Sequence, residues 1–217
     1  MDAKRLYFAS LLLFIIVAIA YGPIPQPQSY HDFADDREFL NIPNALDVMS
    51  NLVIVFPGLV GLAFVHERRN DPFVSDDETS IHITIFAGMV LTFAGSVWFH
   101  LEPNDSTLLW DRLGMTIVIG SSISLKINDF WDKDLAGRIH IPILLASIIS
   151  LLWWPVFDDL RLYFIVKHHP FILLPIFLIY GTRQYDKISG YFWGCLLYTS
   201  DAADEGLGVD LGGRRII

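Results

Sequence analysis

The sequence predicts an all-α, polytopic membrane bundle, and three observations carry that prediction. Of its 217 residues, 53% are hydrophobic and only 18% are charged, whereas a soluble domain carries about a quarter charged residues. The mean hydropathy is +0.45. The apolar residues also fall in long uninterrupted runs, and a helix needs roughly 20 such residues to cross the hydrocarbon core.

The runs lie at about 6–21, 44–65, 81–100, 108–127, 138–157 and 160–180, with a seventh starting near Ile188 and stopping early. The first, "MDAKRLYFASLLLFIIVAIAYGP", has a basic start, a 15-residue apolar core and a small-x-small ending at Ala18 and Ala20. That pattern fits a cleavable signal peptide and a membrane anchor equally, so residues 1–21 are read as one or the other. Residues 22–43 follow as a Pro-rich linker, "GPIPQPQSY", and an acidic segment, and no fold is assigned to them. Residues 44–194 form the transmembrane domain.

Topology follows from Lys and Arg, which favour cytoplasmic connections. Lys4 and Arg5, Arg68 and Arg69, Lys126, Lys133 and Arg138, and Arg183 and Lys187 occupy alternate connections. The opposite connections carry the acidic segment, the turn 101–107 and "FDDLR". This asymmetry predicts an integral membrane protein with that second set of connections on the outer face. No basic patch exists to hold nucleic-acid phosphates, and the net charge is −9. The single cysteine, Cys195, excludes an internal disulfide framework and a Cys-based metal site.

Chemistry concentrates in "GSVWFHLEPNDSTLLWDRLGM", residues 95–115. Ser96 and His100 are four apart and share a helix face. Asp111 follows beyond a turn rich in Pro, Asn, Asp and Ser. Taken singly, His100 is an interfacial histidine, Ser96 a helix-packing residue beside Gly95, and Asp111 a helix N-terminal acid paired with Arg112. Together, ionisable groups at the ends of membrane helices point to function.

"SNLVIVFPGLVGL", the 95–115 stretch and "DDLRLYFIVKHHPFILLPIFLIY" resemble the bacterial branch of the alkaline ceramidase family, over about residues 30–194. That family belongs to a wider group of seven-helix membrane hydrolases that includes adiponectin-receptor-like proteins. The resemblance implies a seven-helix core and zinc-dependent hydrolysis of the amide bond of ceramide or a related membrane lipid. It implies His100 as one of three histidine ligands to zinc, Asp111 as the group orienting the metal's water, and Ser96 as a group binding the scissile carbonyl. The family's other two ligands come from a His-x3-His on the last helix, and no such motif occurs in this sequence. His82 lies about 27 Å from His100 along one helix at 1.5 Å per residue. His66 and His140 lie toward the cytoplasmic side, and His168 and His169 are read as interfacial.

"CLLYTSDAADE" and "VDLGGRRII" resemble in-frame translation of a sequencing adapter. Residues 195–217 are therefore expected to be a non-native tail, with the ligand-bearing helix missing and the chain inactive as it stands. In eukaryotic members of the family, a calcium site uses an N-terminal Asp-Trp-x-Glu-x-Asn stretch and a later Glu. The corresponding residues here are Asp32, Asp35 and Asn44, with Phe33 for Trp and Arg37 where Asn would fall. The alternatives of a calcium site and a solvated acidic loop stay open. Two functional rivals also stay open: a related hydrolase or receptor-like protein acting on another lipid, and a metal-independent transporter or proton relay using His100 and Asp111.

Overall fold

The computed structural model describes residues 3–33, 37–68 and 75–180. Its seven α-helical segments are α1 (Ala3–Tyr21), α2 (Ala45–Ser50), α3 (Leu52–Arg68), α4 (Asp76–Leu101), α5 (Asp105–Phe130), α6 (Lys133–Phe157) and α7 (Arg161–Tyr180). All six runs between residues 6 and 180 are helical. α2 and α3 form one nearly continuous rod over the second run. Four rods, Ala45–Arg68, Asp76–Leu101, Asp105–Phe130 and Lys133–Phe157, are long and apolar enough to cross a membrane. The chain is an all-α integral membrane bundle. The seventh apolar run near Ile188 and the tail 195–217 lie outside the described residues.

The turns carry the stop and start signals that their sequences supply. Ser75 caps α4 by accepting from the Glu78 N–H at 3.1 Å. Asn104 and Thr107 form a reciprocal capping box at the start of α5, satisfying N–H groups that a helix leaves unpaired. Asp132 caps α6 through the Leu135 N–H at 2.9 Å. Asn44 and Asp158 adopt left-handed φ values of 50° and 48°, a conformation that Asn and Asp reach at lower cost than most side chains.

α5 occupies the middle of the bundle, packed on α4, α6 and α7, while α1 packs on α7. Two apolar clusters close its two ends. Ile81, Ile123, Ile127, Phe130 and Leu173 form one, and Phe99, Leu108, Leu151, Trp154, Leu160 and Tyr163 the other. Between them runs a layer of small and hydroxyl residues that includes Gly88, Thr92, Thr116, Gly120, Ser121 and Ser147. Lipid gives no hydrophobic drive for helices to associate, so close packing of small residues substitutes for it. The outward faces carry Leu12, Ile16, Val53, Phe56, Val60, Ile149 and Val156, as hydrocarbon contact requires.

α4 and α5 touch backbone to backbone. A Cβ on Gly114 would lie 2.5 Å from Thr92 Cα, and one on Gly95 would lie 2.7 Å from the Asp111 amide nitrogen. Both approaches exclude any side chain larger than hydrogen. Gly114→Val and Gly95→Val are each expected to destabilise the bundle by at least about 1–3 kcal/mol, the usual cost of overpacking. Detergent melting curves of the two variants against wild type check this; unchanged midpoints would show the helices free to separate.

Candidate functional site

The α4–α5 crossing determines where the polar side chains meet. Thr84, Gly88, Thr92, Ser96 and His100 recur every four residues on α4, so they lie along one face. Because Gly95 lets α4 touch the Trp110–Asp111 backbone, the next residue, Ser96, lies beside the turn of α5 that carries Asp111. His100 acts on the Asp111 carboxylate electrostatically, as do Arg112 and Lys167. Ser96 and Asp111 are each 7% exposed. The three residues singled out from the sequence are thus brought together at one end of the bundle.

His100 is walled by aromatic rings. Its centroid is 4.7 Å from Phe33 and 5.6 Å from Phe99. Its Nδ1 is buried and has no hydrogen-bond partner, and a carboxylate oxygen of Asp47 is 4.0 Å away. Asp47 reaches this position because α2 packs against α4. The Asn44 side chain at the start of α2 donates to the His100 carbonyl at 2.7 Å, pairing one of the carbonyls that a helix C-terminus leaves unsatisfied. An orphaned imidazole nitrogen facing a carboxylate suits a metal ligand with a supporting acid. The full donor set of a catalytic zinc is three protein groups. Among the described residues, no cluster of three His, Cys, Asp or Glu side chains is arranged to hold a metal ion.

Two of the three candidate calcium residues lie in the described part of the chain. Asp32 is exposed, Asn44 is engaged with the end of α4, and Asp35 lies outside the described residues.

The Pro-rich segment, to which the sequence assigns no fold, crosses the mouth of the bundle as a strap. Leu160 N–H donates to the Ile24 carbonyl at 2.8 Å, and Ile24 N–H donates to Asp159 at 3.1 Å. After a 3-10 turn at Gln28–His31, His31 pairs with Asp105 at 3.0 Å and Tyr30 stacks on Phe99 with centroids 6.3 Å apart. Tertiary partners hold this strap, and those partners cannot be read from local sequence.

Sequence reasoning missed Asp47, Arg112 and Tyr163. The Arg112 guanidinium is 5% exposed and sits 5.2, 4.8 and 5.3 Å from the rings of Tyr30, Trp154 and Tyr163. Expected to pair with Asp111 in the plainest reading, it forms no ion pair with a described carboxylate. The "WDR" dipeptide charge pattern was the available signal, but the rings come from distant segments.

Other histidines lie elsewhere. His140, 2% exposed, bonds Thr84 through Nε2 at 3.1 Å and Ser124 through Nδ1 at 3.2 Å. His169, read as interfacial, is instead buried against Tyr7, with Oη and Nε2 2.6 Å apart; the neighbouring His168 is exposed. Packing of α1 on α7 decides which of the adjacent pair turns inward.

Compared with protein-family models, curated proteins and solved structures, the chain matches none.

Asp159 anchors the strap. Its carboxylate accepts from the Arg161 side chain and from the Arg161 and Ile24 N–H groups, which hold its pKa down at about 2. A depressed carboxylate contributes stability above the ordinary value of about 4 and loses it as pH falls toward about 2. Melting temperatures between pH 5 and pH 2.5 are expected to fall more steeply for wild type than for Asp159→Asn, which lacks the charge at every pH. Parallel curves would remove the carboxylate from the strap's anchorage.

Proposed function

We propose that this protein is a membrane-embedded amidase acting on ceramide-like lipids, releasing a sphingoid base and a fatty acid. The observation that carries the reading is the convergence of Ser96, His100 and Asp111 at one mouth of an apolar bundle. These are the residues through which the sequence resembles the alkaline ceramidases.

Amide hydrolysis needs a base for water, an acid for the leaving amine and stabilisation of the oxyanion. Asp111, buried beside Arg112, is a carboxylate able to accept and return a proton. The Ser96 hydroxyl is a donor available to a carbonyl oxygen. His100 is the one histidine of the set that the described residues supply, and its unpartnered Nδ1 is supporting geometry for a metal. A zinc ion, when bound, lowers the pKa of water to about 7. The phenyl walls of Phe33 and Phe99 limit bulk water around the imidazole. The lipid's acyl chain would enter laterally between helices while its amide meets the mouth, which we place on the outer face of a bacterial inner membrane from the Lys and Arg asymmetry. We assign no role to calcium beyond a second, structural site at Asp32, Asp35 and Asn44.

A metal-independent proton relay is the second reading. It is favoured by the hydroxyl chain that Ser121, Thr84, His140 and Ser124 form deeper along α4.

Zinc content and ceramide turnover decide between them. Measurements are made on the 217-residue chain and on a protein continued by a helix carrying His-x3-His. The first is expected to hold little zinc and turn over little substrate. The second is expected to bind about one zinc and hydrolyse ceramide, and to lose both with His100→Ala, since catalytic zinc generally has three protein ligands. Equal zinc and equal turnover in both proteins would overturn the ligand assignment, and a continued protein that holds no zinc and hydrolyses no ceramide would favour the relay.

A further inference from the structure

We propose that Arg112 is a carboxylate receptor, holding the anionic head of a single-chain fatty acid beside Asp111. The guanidinium is almost wholly buried, yet its Nη1 has no hydrogen-bond partner. Tyr30, Trp154 and Tyr163 surround it at 4.8–5.3 Å. Ring faces stabilise the cation through their quadrupoles, but they do not satisfy an N–H that has been taken out of water. Leaving such a donor unpaired is costly, and more so for a charged group. A buried arginine with an open donor, next in the chain to the site carboxylate, is arranged for an acceptor that arrives with a ligand.

Local charge selects the ligand. The buried guanidinium carries one positive charge and forms no ion pair with a described carboxylate, so a monoanionic carboxylate balances it. The guanidinium fork matches a carboxylate's two oxygens. The surroundings are Phe99, Leu108, Leu151, Trp154, Leu160 and Tyr163, which favour an alkyl chain on the acid over a small polar one.

The inference deepens the amidase reading and rests on it for the origin of the ligand. In that reaction water's oxygen joins the acyl carbon, the C–N bond breaks, the amine leaves with a proton, and a fatty-acid carboxylate remains at the site. Arg112 then receives the product oxygens, and Trp154, against the guanidinium, reports their arrival.

The test measures binding without turnover, so its failure is separable from failure of the amidase reading. The full chain in neutral-lipid nanodiscs is titrated with laurate, dodecanol and acetate while tryptophan emission is followed. Laurate is expected to bind at least about tenfold more tightly than dodecanol, a difference of about 1.4 kcal/mol, and acetate about as weakly as dodecanol. Arg112→Met is expected to bring laurate and dodecanol together. Arg112→Lys keeps the charge without the fork and is expected to fall between. A purely structural arginine would lower the melting temperature on substitution while leaving the laurate-to-dodecanol ratio unchanged, and that result overturns the proposal. Equal binding of laurate and dodecanol by wild type overturns it even where Arg112→Met does not fold. Acetate binding as tightly as laurate overturns the fatty chain as part of the ligand.

Discussion

The structure depends on the backbone contact between α4 and α5. Gly95 against Trp110 and Asp111, and Gly114 against Thr92, bring two membrane helices closer than side chains allow. In water such a contact would be a detail of packing. In lipid, where burying apolar surface against apolar solvent gains little, it is a principal source of cohesion. It also sets Ser96 beside the backbone that carries Asp111, because the residue before Ser96 has no side chain.

The same economy runs through the interior. Buried hydroxyls on α4, α5 and α6 bond carbonyls one turn back, as Thr92 does to Gly88 at 2.8 Å and Thr116 to Arg112 at 2.7 Å. His140 takes hydroxyl partners on both ring nitrogens. A polar group left unpaired in a membrane interior costs several kcal/mol, so the few exceptions carry information. His100 Nδ1 and Arg112 Nη1 are two of them, one at the end of α4 and the other next to Asp111 on α5. Their unmet donors and acceptors set the mouth of the bundle apart from its polar midsection.

The strap of residues 22–33 completes that mouth. Its prolines suit an extended path, but what fixes it is Asp159 accepting from Ile24 and Asp105 accepting from Gln28 and His31. Aromatic residues on it, Tyr30 and Phe33, then cover Arg112 and His100. A segment with no apolar periodicity thus supplies walls to the polar cluster.

Hydropathy alone determined that this chain is an all-α membrane bundle and where each rod from residue 6 to residue 180 lies, because a run of about 20 apolar residues has few other stable states. Spacing alone determined that Ser96 and His100 share a face, since helical period is local geometry. What the sequence left open belongs to contacts between segments distant along the chain. Nothing local says that α2 carries Asp47 to His100, that rings from Tyr30, Trp154 and Tyr163, all distant along the chain, enclose Arg112, or that His169 and not His168 turns inward. Those outcomes depend on which small residues meet across helix pairs, and a glycine's neighbour across an interface is a property of the packed bundle.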